Sequence, residues 1–181
     1  MKIVNMNTLN ELQLKQAAQM LVDAFPHSWP TLKEALFEIN GRWNEKGTLF
    51  LAALIDGEVA GWCGILPQYD GNVFELHPLV VRSDVRGKGI GTALVLEISK
   101  AAKEKGGLTL WLGADDERPG GETSFANTNL YDNLPRRIKE FDPGTHQAAF
   151  YMKLGFKIVG VMPDANGIGK PDIFLAKSLY S

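Results

Sequence analysis

Between residues 73 and 105 the chain passes from an extended, apolar-rich run into a helical one through six residues, Arg86-Gly87-Lys88-Gly89-Ile90-Gly91. Three glycines in six positions let the backbone turn tightly and approach a ligand without Cβ clashes. A helix over 92–105 then offers unpaired N–H groups and the positive end of its dipole, which together favour an anion. Arg86 and Lys88 add two full positive charges. A strand, a basic glycine turn and a helix in this order predict a loop that holds a phosphate or pyrophosphate. The alternative is a glycine-rich helix entry with solvated basic residues. The P-loop pattern is absent, and the dinucleotide pattern fails where position 92 is Thr rather than Gly. The next strand-like run, 108–112, is followed by Gly113 and not by a ribose-binding acid.

Composition narrows the setting. A chain of 181 residues with 45% hydrophobic and 22% charged content predicts a single domain with a sizeable core. A net charge of −2 gives no reason to expect a nucleic-acid or membrane partner. No apolar run approaches the roughly 18 residues of a membrane helix, and residues 1–10 lack a basic segment followed by an apolar one. A cytoplasmic protein is therefore expected. The single cysteine, Cys63, excludes an internal disulfide and reads as a small core residue.

Along the chain, Lys2 to Asn5 reads as a short strand, and Thr8-x-x-Glu11 as a capping box opening a helix that Pro26 ends. A second box, Thr31-x-x-Glu34, opens another helix with Gly41 as its C-terminal cap. Between them, Phe25, His27 and Trp29 crowd a short connection, either as a loop stapled to the core or as a pocket wall. Runs 48–55 and 59–66 predict a hairpin closed by Asp56-Gly57, and 67–72 the next turn. A third strand follows at 73–81, then the glycine loop, its helix, and a buried strand at 108–112. Residues 114–145 show little periodicity and carry seven acidic against four basic residues, with a short helix expected over 134–141. A helix at 146–154 and strands at 156–161 and 173–177 complete an α/β fold, a mixed sheet flanked by helices.

Pro78 interrupts the otherwise strong strand Phe74-Glu75-Leu76-His77-Pro78-Leu79-Val80-Val81, which points to an edge or a bulge. A break there opens a slot toward the neighbouring parallel strand and releases the Leu79 N–H to stabilise a developing oxyanion. Glu75 and His77 share side-chain parity ahead of the break. Glu75 is the candidate general base, with an exposed strand glutamate as the alternative. No metal-ligand spacing links His27, His77 and His146.

The loop resembles the Arg/Gln-x-x-Gly-x-Gly/Ala signature of the GCN5-related N-acetyltransferases (GNAT). Ala148-Ala149-Phe150-Tyr151-Met152-Lys153-Leu154-Gly155-Phe156 resembles that family's later signature, a tyrosine four residues before Gly-Phe. The resemblance implies one GNAT domain over 1–181, with acetyl-CoA as co-substrate and no metal. It places the pyrophosphate on Arg86, Gly87, Lys88, Gly89, Ile90, Gly91 and Thr92, with Leu79, Val80, Val81 and Lys153 as further coenzyme contacts; a solvated side chain is the alternative for Lys153. Tyr151 becomes the general acid for the leaving thiolate; an aromatic packed on the sheet is the alternative.

From about Gly61 onward the chain is similar to aminoglycoside 6′-N-acetyltransferases of the chromosomal enterococcal type, through Leu66-Pro67-Gln68-Tyr69, Glu75 to Val81, Lys157-Ile158-Val159-Gly160-Val161 and Pro163-Asp164-Ala165-Asn166-Gly167. That similarity implies a homodimer acting on the primary amine of a small cationic acceptor. Asp115, Asp116, Glu117 and Glu122 would then attract a polycation, with Tyr69 and the segment containing Phe25, His27 and Trp29 as walls; a solvated acidic loop is the alternative. Acetylation of a polyamine or a protein, and a non-catalytic acyl-CoA-binding module, are the competing functions. A binder would need neither Glu75 nor Tyr151.

Overall fold

The structure is a computed structural model that describes residues 1–42 and 45–180. Its elements are β1 (Lys2–Asn5), α1 (Glu11–Ala24), α2 (Leu32–Arg42), β2 (Leu49–Ile55), β3 (Glu58–Gln68), β4 (Val73–Val81), α3 (Ile90–Glu104), β5 (Thr109–Asp115), α4 (Leu134–Lys139), α5 (Ala148–Lys153), β6 (Lys157–Met162) and β7 (Asp172–Ser178). The seven strands form a mixed sheet in the order β1-β2-β3-β4-β5-β7-β6, flanked by helices. The chain divides into two compact units, residues 1–110 with the C-terminal residues from Leu179, and Trp111–Ser178. No helix among the described residues is long and apolar enough to cross a membrane.

The first unit is built on the antiparallel ladder β1–β2–β3–β4. The hairpin turn between β2 and β3 is Asp56-Gly57, both at positive φ (51° and 86°), as a two-residue turn of this chemistry requires. Successive residues of a strand face opposite sides of the sheet, and β3 shows what covers each side. The Trp62 indole N–H donates to the Ala17 carbonyl of α1 at 3.0 Å. Gly61 lies under Ile90 and Leu94 of α3, where even a Cβ would press on both side chains. Thus α1 and α3 cover opposite faces. Trp62, Phe50, Leu21, Ala35 and Ile39 form the core beneath α1 and α2. Cys63 is fully buried on the α3 side, and burial pushes its thiol well above its ordinary pKa.

The helix starts correct the expected pattern at one point. The cap of α1 is Asn10, not Thr8: the Asn10 side chain accepts from the Gln13 N–H at 2.9 Å and Gln13 Oε1 accepts from the Asn10 N–H at 3.0 Å. Thr8 is already committed, since its hydroxyl donates to the Asn5 carbonyl at 2.8 Å. At α2 the expected reciprocal box is present, Thr31 N–H to Glu34 Oε2 at 3.1 Å and Glu34 N–H to Thr31 Oγ1 at 3.3 Å. Gly41 lies inside α2 rather than past its end. The Glu38–Arg42 pair, one turn apart at 2.8 Å, supports that last turn.

The strand β4 carries the feature that matters for the site. Leu66 pairs with Glu75 and Ile65 with Leu76, whereas Cys63 pairs with Leu79 and Trp62 with Val80. His77 and Pro78 therefore both stand opposite Gly64, a β-bulge at the expected proline. A Cβ on Gly64 would collide with the Phe50 ring and the His77 carbonyl, so only glycine fits opposite the bulge. Directly paired residues share a face, so the inserted residue reverses the parity of β4. Glu75 before the bulge and Val80 after it both face α1 and α2. At the far end of α3, Gly106 at φ 90° and the bonds Gly106 N–H to Lys103 O and Gly107 N–H to Ala102 O close the helix as its two glycines predict.

In the second unit β6 and β7 pair antiparallel with an irregularity at Val159. Of residues 114–145, expected as a weakly periodic connection, the first two end β5 and the rest form a built loop. Both carboxylate oxygens of Asp116 accept backbone N–H groups, from Glu122 at 2.8 Å and Thr123 at 2.9 Å. The Phe125 and Phe141 rings lie 4.5 Å apart, and Ser124 N–H donates to the Asp142 carbonyl at 2.9 Å. The buried His146 faces the Asp115 carbonyl through Nε2 at 3.0 Å and the Ala148 N–H through Nδ1 at 3.3 Å. A carbonyl only accepts and an N–H only donates, so His146 carries its proton on Nε2. Polar side chains bonded to nearby backbone gave no periodic signal in sequence, which is why this order was not legible there.

Candidate active site

The basic glycine loop connects β4 to α3 as predicted, but α3 starts at Ile90, two residues earlier than expected. Gly87 and Gly89 hold φ of 76° and 81°, and nothing lies within 4 Å of where their Cβ atoms would be. This backbone is left-handed, which glycine adopts freely, and its outer surface is open. Gly89 is the N-cap of α3 and no side chain caps the helix. The first N–H groups of the helix, at Ile90, Gly91 and Thr92, have no partner one turn back and sit at the positive end of a helix of 15 residues. Lys88 is exposed beside them. Arg86 Nε donates to the Val81 carbonyl at 3.0 Å, tying the loop to the end of β4. Open glycine backbone, an uncapped helix start and an exposed lysine together favour an anion.

A second group of side chains gathers on the face of β4 that looks toward α2. Glu75 and His77 are half-buried there. Gln68 Nε2 donates to Glu75 Oε2 at 2.7 Å. The Trp29 ring lies 6.1 Å from the His77 ring and 5.6 Å from Phe25. From α2, Arg42 Nε donates to Glu38 Oε1 at 2.8 Å. That bond, with the nearby charges of Glu38, Glu45 and Glu75, keeps the guanidinium firmly cationic. Burial holds the His77 imidazole below its usual range, and the Arg42 charge pushes the same way, against Glu75 and Glu38. The neutral imidazole is thereby favoured at His77, between an aromatic wall and a carboxylate.

In the second unit, Tyr151 is 7% exposed and stacks edge-on between Phe150 at 5.0 Å and Phe156 at 5.6 Å. Phe156 in turn lies under the Lys177 ammonium, 5.6 Å from the ring centre. Lys153 is exposed at the end of α5.

The profile of the acetyltransferase (GNAT) family matches residues 14–120. The chain belongs to that family. This acetyltransferase is also similar to a solved aminoglycoside 6′-N-acetyltransferase complexed with coenzyme A, at 35% identity over 100% of this chain and 98% of the other, with a TM-score of 0.93. A second such structure, the aminoglycoside 6′-N-acetyltransferase from Enterococcus faecium, matches at 34% identity over 100% and 98%, with a TM-score of 0.91. An acetyltransferase of Pectobacterium atrosepticum is 33% identical over 69 residues, which are 38% of this chain and 48% of that protein; the match spans about half of that relative. The α/β GNAT fold expected from the sequence is the fold of this acetyltransferase.

Of the residues singled out in the sequence of this GNAT protein, the structure brings Glu75, His77, Trp29 and Phe25 together, and sets Arg86, Gly87, Lys88, Gly89, Ile90, Gly91 and Thr92 in one continuous turn following Leu79, Val80 and Val81. Within the first unit, His27 and Tyr69 do not join the Glu75 group. His27 is exposed, and Tyr69 is 76% exposed in the turn after β3. Asp116, expected on the acceptor side, is fully buried and bonded to its own loop, so its carboxylate serves as scaffold. Asp115 stays exposed and accepts from Asn166 Nδ2 at 2.6 Å. Gln68, Glu38 and Arg42 were missed. The sequence pattern places Gln68 in the turn over 67–72, but β3 runs through it, and that register sets it diagonally across from Glu75.

Proposed function

We propose that this acetyltransferase moves the acetyl group of acetyl-CoA directly to a primary amine of a small cationic acceptor, the 6′-amine of an aminoglycoside. The likeness over the whole chain to the aminoglycoside 6′-N-acetyltransferases, including the segments that carry the Glu75 group, supports this reading. The loop Arg86, Gly87, Lys88, Gly89, Ile90, Gly91 and Thr92 would hold the coenzyme pyrophosphate, with Val80, Val81 and Lys153 as flanking contacts. Bound there, the coenzyme supplies an activated thioester.

The chain's own residues then have three tasks. Glu75 takes a proton from the acceptor ammonium, directly or through water, so that the nitrogen has a lone pair to bond the thioester carbon. The Leu79 N–H, just past the bulge, would stabilise the negative charge that grows on the carbonyl oxygen. Tyr151 gives its phenolic proton to the sulfur as the C–S bond breaks. Once the C–N bond has formed, the nitrogen sheds a second proton, which passes through solvent to restore Tyr151, and the proton taken by Glu75 is released; the products are the N-acetylated amine, free coenzyme A and one proton. Trp29 and Phe25 form an apolar wall, and Asp115 and Glu117 contribute negative charge that draws in a polycation. Homodimerisation and a cytoplasmic, resistance-conferring role go with this acceptor.

Release of coenzyme A thiol, measured across aminoglycosides, spermidine and basic peptides, tests the proposal. Turnover with kanamycin-like compounds bearing a 6′-amine and none with their 6′-hydroxyl analogues is expected. Turnover confined to spermidine or peptide would overturn the acceptor while keeping the chemistry. Tight acetyl-CoA binding with no turnover on any amine would overturn the enzymatic reading.

A further inference from the structure

We propose that Gln68 is a positioning residue for the general base, holding the Glu75 carboxylate in one orientation so that only its Oε1 edge meets the acceptor amine. The proposal rests on Glu75 acting as that base. Its support is geometric. Gln68 pairs with Val73 and Leu66 pairs with Glu75, so Gln68 and Glu75 are diagonal neighbours on one face of the β3–β4 ladder. Long side chains reach each other at that separation. The contact is 2.7 Å from Nε2 to Oε2, short for a bond between an amide and a carboxylate. A carboxylate only accepts, so the Gln68 amide must present its NH2 group. Among the described residues Glu75 accepts this one hydrogen bond, which leaves Oε1 available.

The choice of an amide has consequences that a charged residue would not share. A lysine or arginine at 2.7 Å would pin Glu75 as a carboxylate and weaken it as a base. A neutral donor fixes the orientation, removes rotamer freedom that would otherwise be lost at each encounter with acceptor, and leaves the carboxylate able to take a proton. The titratable groups that face Glu75 are His77 on its own strand and, on α2, Arg42 beside Glu38. Gln68 thus aims the group without adding a charge to it.

The test compares Gln68→Ala, Gln68→Glu and Glu75→Gln in the full chain, reading acetyl-CoA Kd, melting temperature, and the pH profile of kcat/KM with the best amine acceptor. For Gln68→Ala, acetyl-CoA Kd should stay within about twofold while kcat/KM falls about 10- to 100-fold, the scale of a misplaced reacting group. For Gln68→Glu, two carboxyl groups at hydrogen-bond distance share a proton, so the acid limb of the profile should move up by about one pH unit or more. A purely structural role would lower the melting temperature of both variants and move neither the limb nor kcat. If Glu75→Gln abolishes turnover while both Gln68 variants keep wild-type rate and profile, Gln68 does not position the base, and Glu75 remains the base. If Glu75→Gln keeps rate and profile, Glu75 is not the base and the role of Gln68 falls with it. Should Gln68→Ala fail to fold, Gln68→Glu alone decides, because it is isosteric and its readout is the limb.

Discussion

Gly64 lies against the carbonyl oxygen of His77 so closely that a Cβ placed on it would stand 2.7 Å from that oxygen. The same Cβ would enter the Phe50 ring. The bulge that turns Glu75 toward α2 thus depends on a residue without a side chain on the neighbouring strand. Gly64→Ala should destabilise the protein by about 1–3 kcal/mol, the usual cost of overpacking a fixed core. Urea unfolding measures this. Because the strain falls on the His77 carbonyl, turnover per folded molecule should fall as well, and an unchanged turnover would show that the bulge tolerates a shift.

His77 makes stability depend on pH. Its ordinary pKa of 6.5 is lowered in the fold, first by burial and then by Arg42. The unfolded chain then binds the proton more readily than the folded one. The stabilising contribution is complete above about pH 6.5 and is lost as pH falls through the lower folded value. Wild-type protein should therefore lose more stability between pH 7.5 and pH 5 than His77→Gln does, as read by denaturant midpoints at each pH. Equal losses would mean that His77 is not titrating in this window.

Tyr151 is tested by removing one oxygen. Tyr151→Phe retains the ring that packs between Phe150 and Phe156, so folding and acetyl-CoA affinity should hold. Removing a general acid costs about 100-fold or more, and the loss should appear in kcat. A variant with unchanged kcat would reduce Tyr151 to a packing aromatic.

Much of this arrangement was legible in the sequence because it rests on residues that are exceptional for the backbone. Pro78 cannot donate to a strand ladder, and Asp56-Gly57, the glycines of residues 87–91 and Gly106-Gly107 allow left-handed backbone that other residues avoid; each fell where expected. Register was the harder quantity. Whether β3 stops before or after Gln68 is decided by a turn of three residues, Tyr69–Gly71, with Asp70 at φ 56°. Asp70-Gly71 marks the turn, with Gly71 at φ 86°, but not how far β3 runs before it, so the partner of Glu75 was hidden while Glu75 itself was not. The loop after β5 was hidden for another reason. Its order comes from Asp116, Ser124 and His146 bonding to backbone groups, and these leave no hydrophobic period to read.

Lys88 and Gly89 separate the two ways in which the glycine loop can bind an anion. Lys88→Ala removes an exposed point charge, so its effect on acetyl-CoA Kd should be a few-fold and shrink as salt rises. Gly89→Val adds a branched side chain at φ 81°, where the backbone is costly for any residue with a Cβ. It should raise Kd by more than tenfold, and salt should not reverse it. Equal, salt-sensitive effects would assign binding to charge alone and remove the backbone cradle.

Asp116 allows substrate contact and loop support to be told apart. Its carboxylate is fully buried and accepts two backbone N–H groups. Asp116→Ala would take the partner from two part-buried donors, and hydrogen bonds to a charged group contribute about 1.5–3 kcal/mol. The melting temperature should fall accordingly, and proteolysis should cut first within residues 117–145, where the released amides lie. Asp115→Asn, by contrast, keeps the fold and changes an exposed charge. It should raise KM for a polycationic acceptor while leaving acetyl-CoA affinity and melting temperature unchanged. If Asp116→Ala kept its stability and lost only acceptor affinity, the carboxylate would belong to the acceptor site after all. The two amides it now holds would then have to find water.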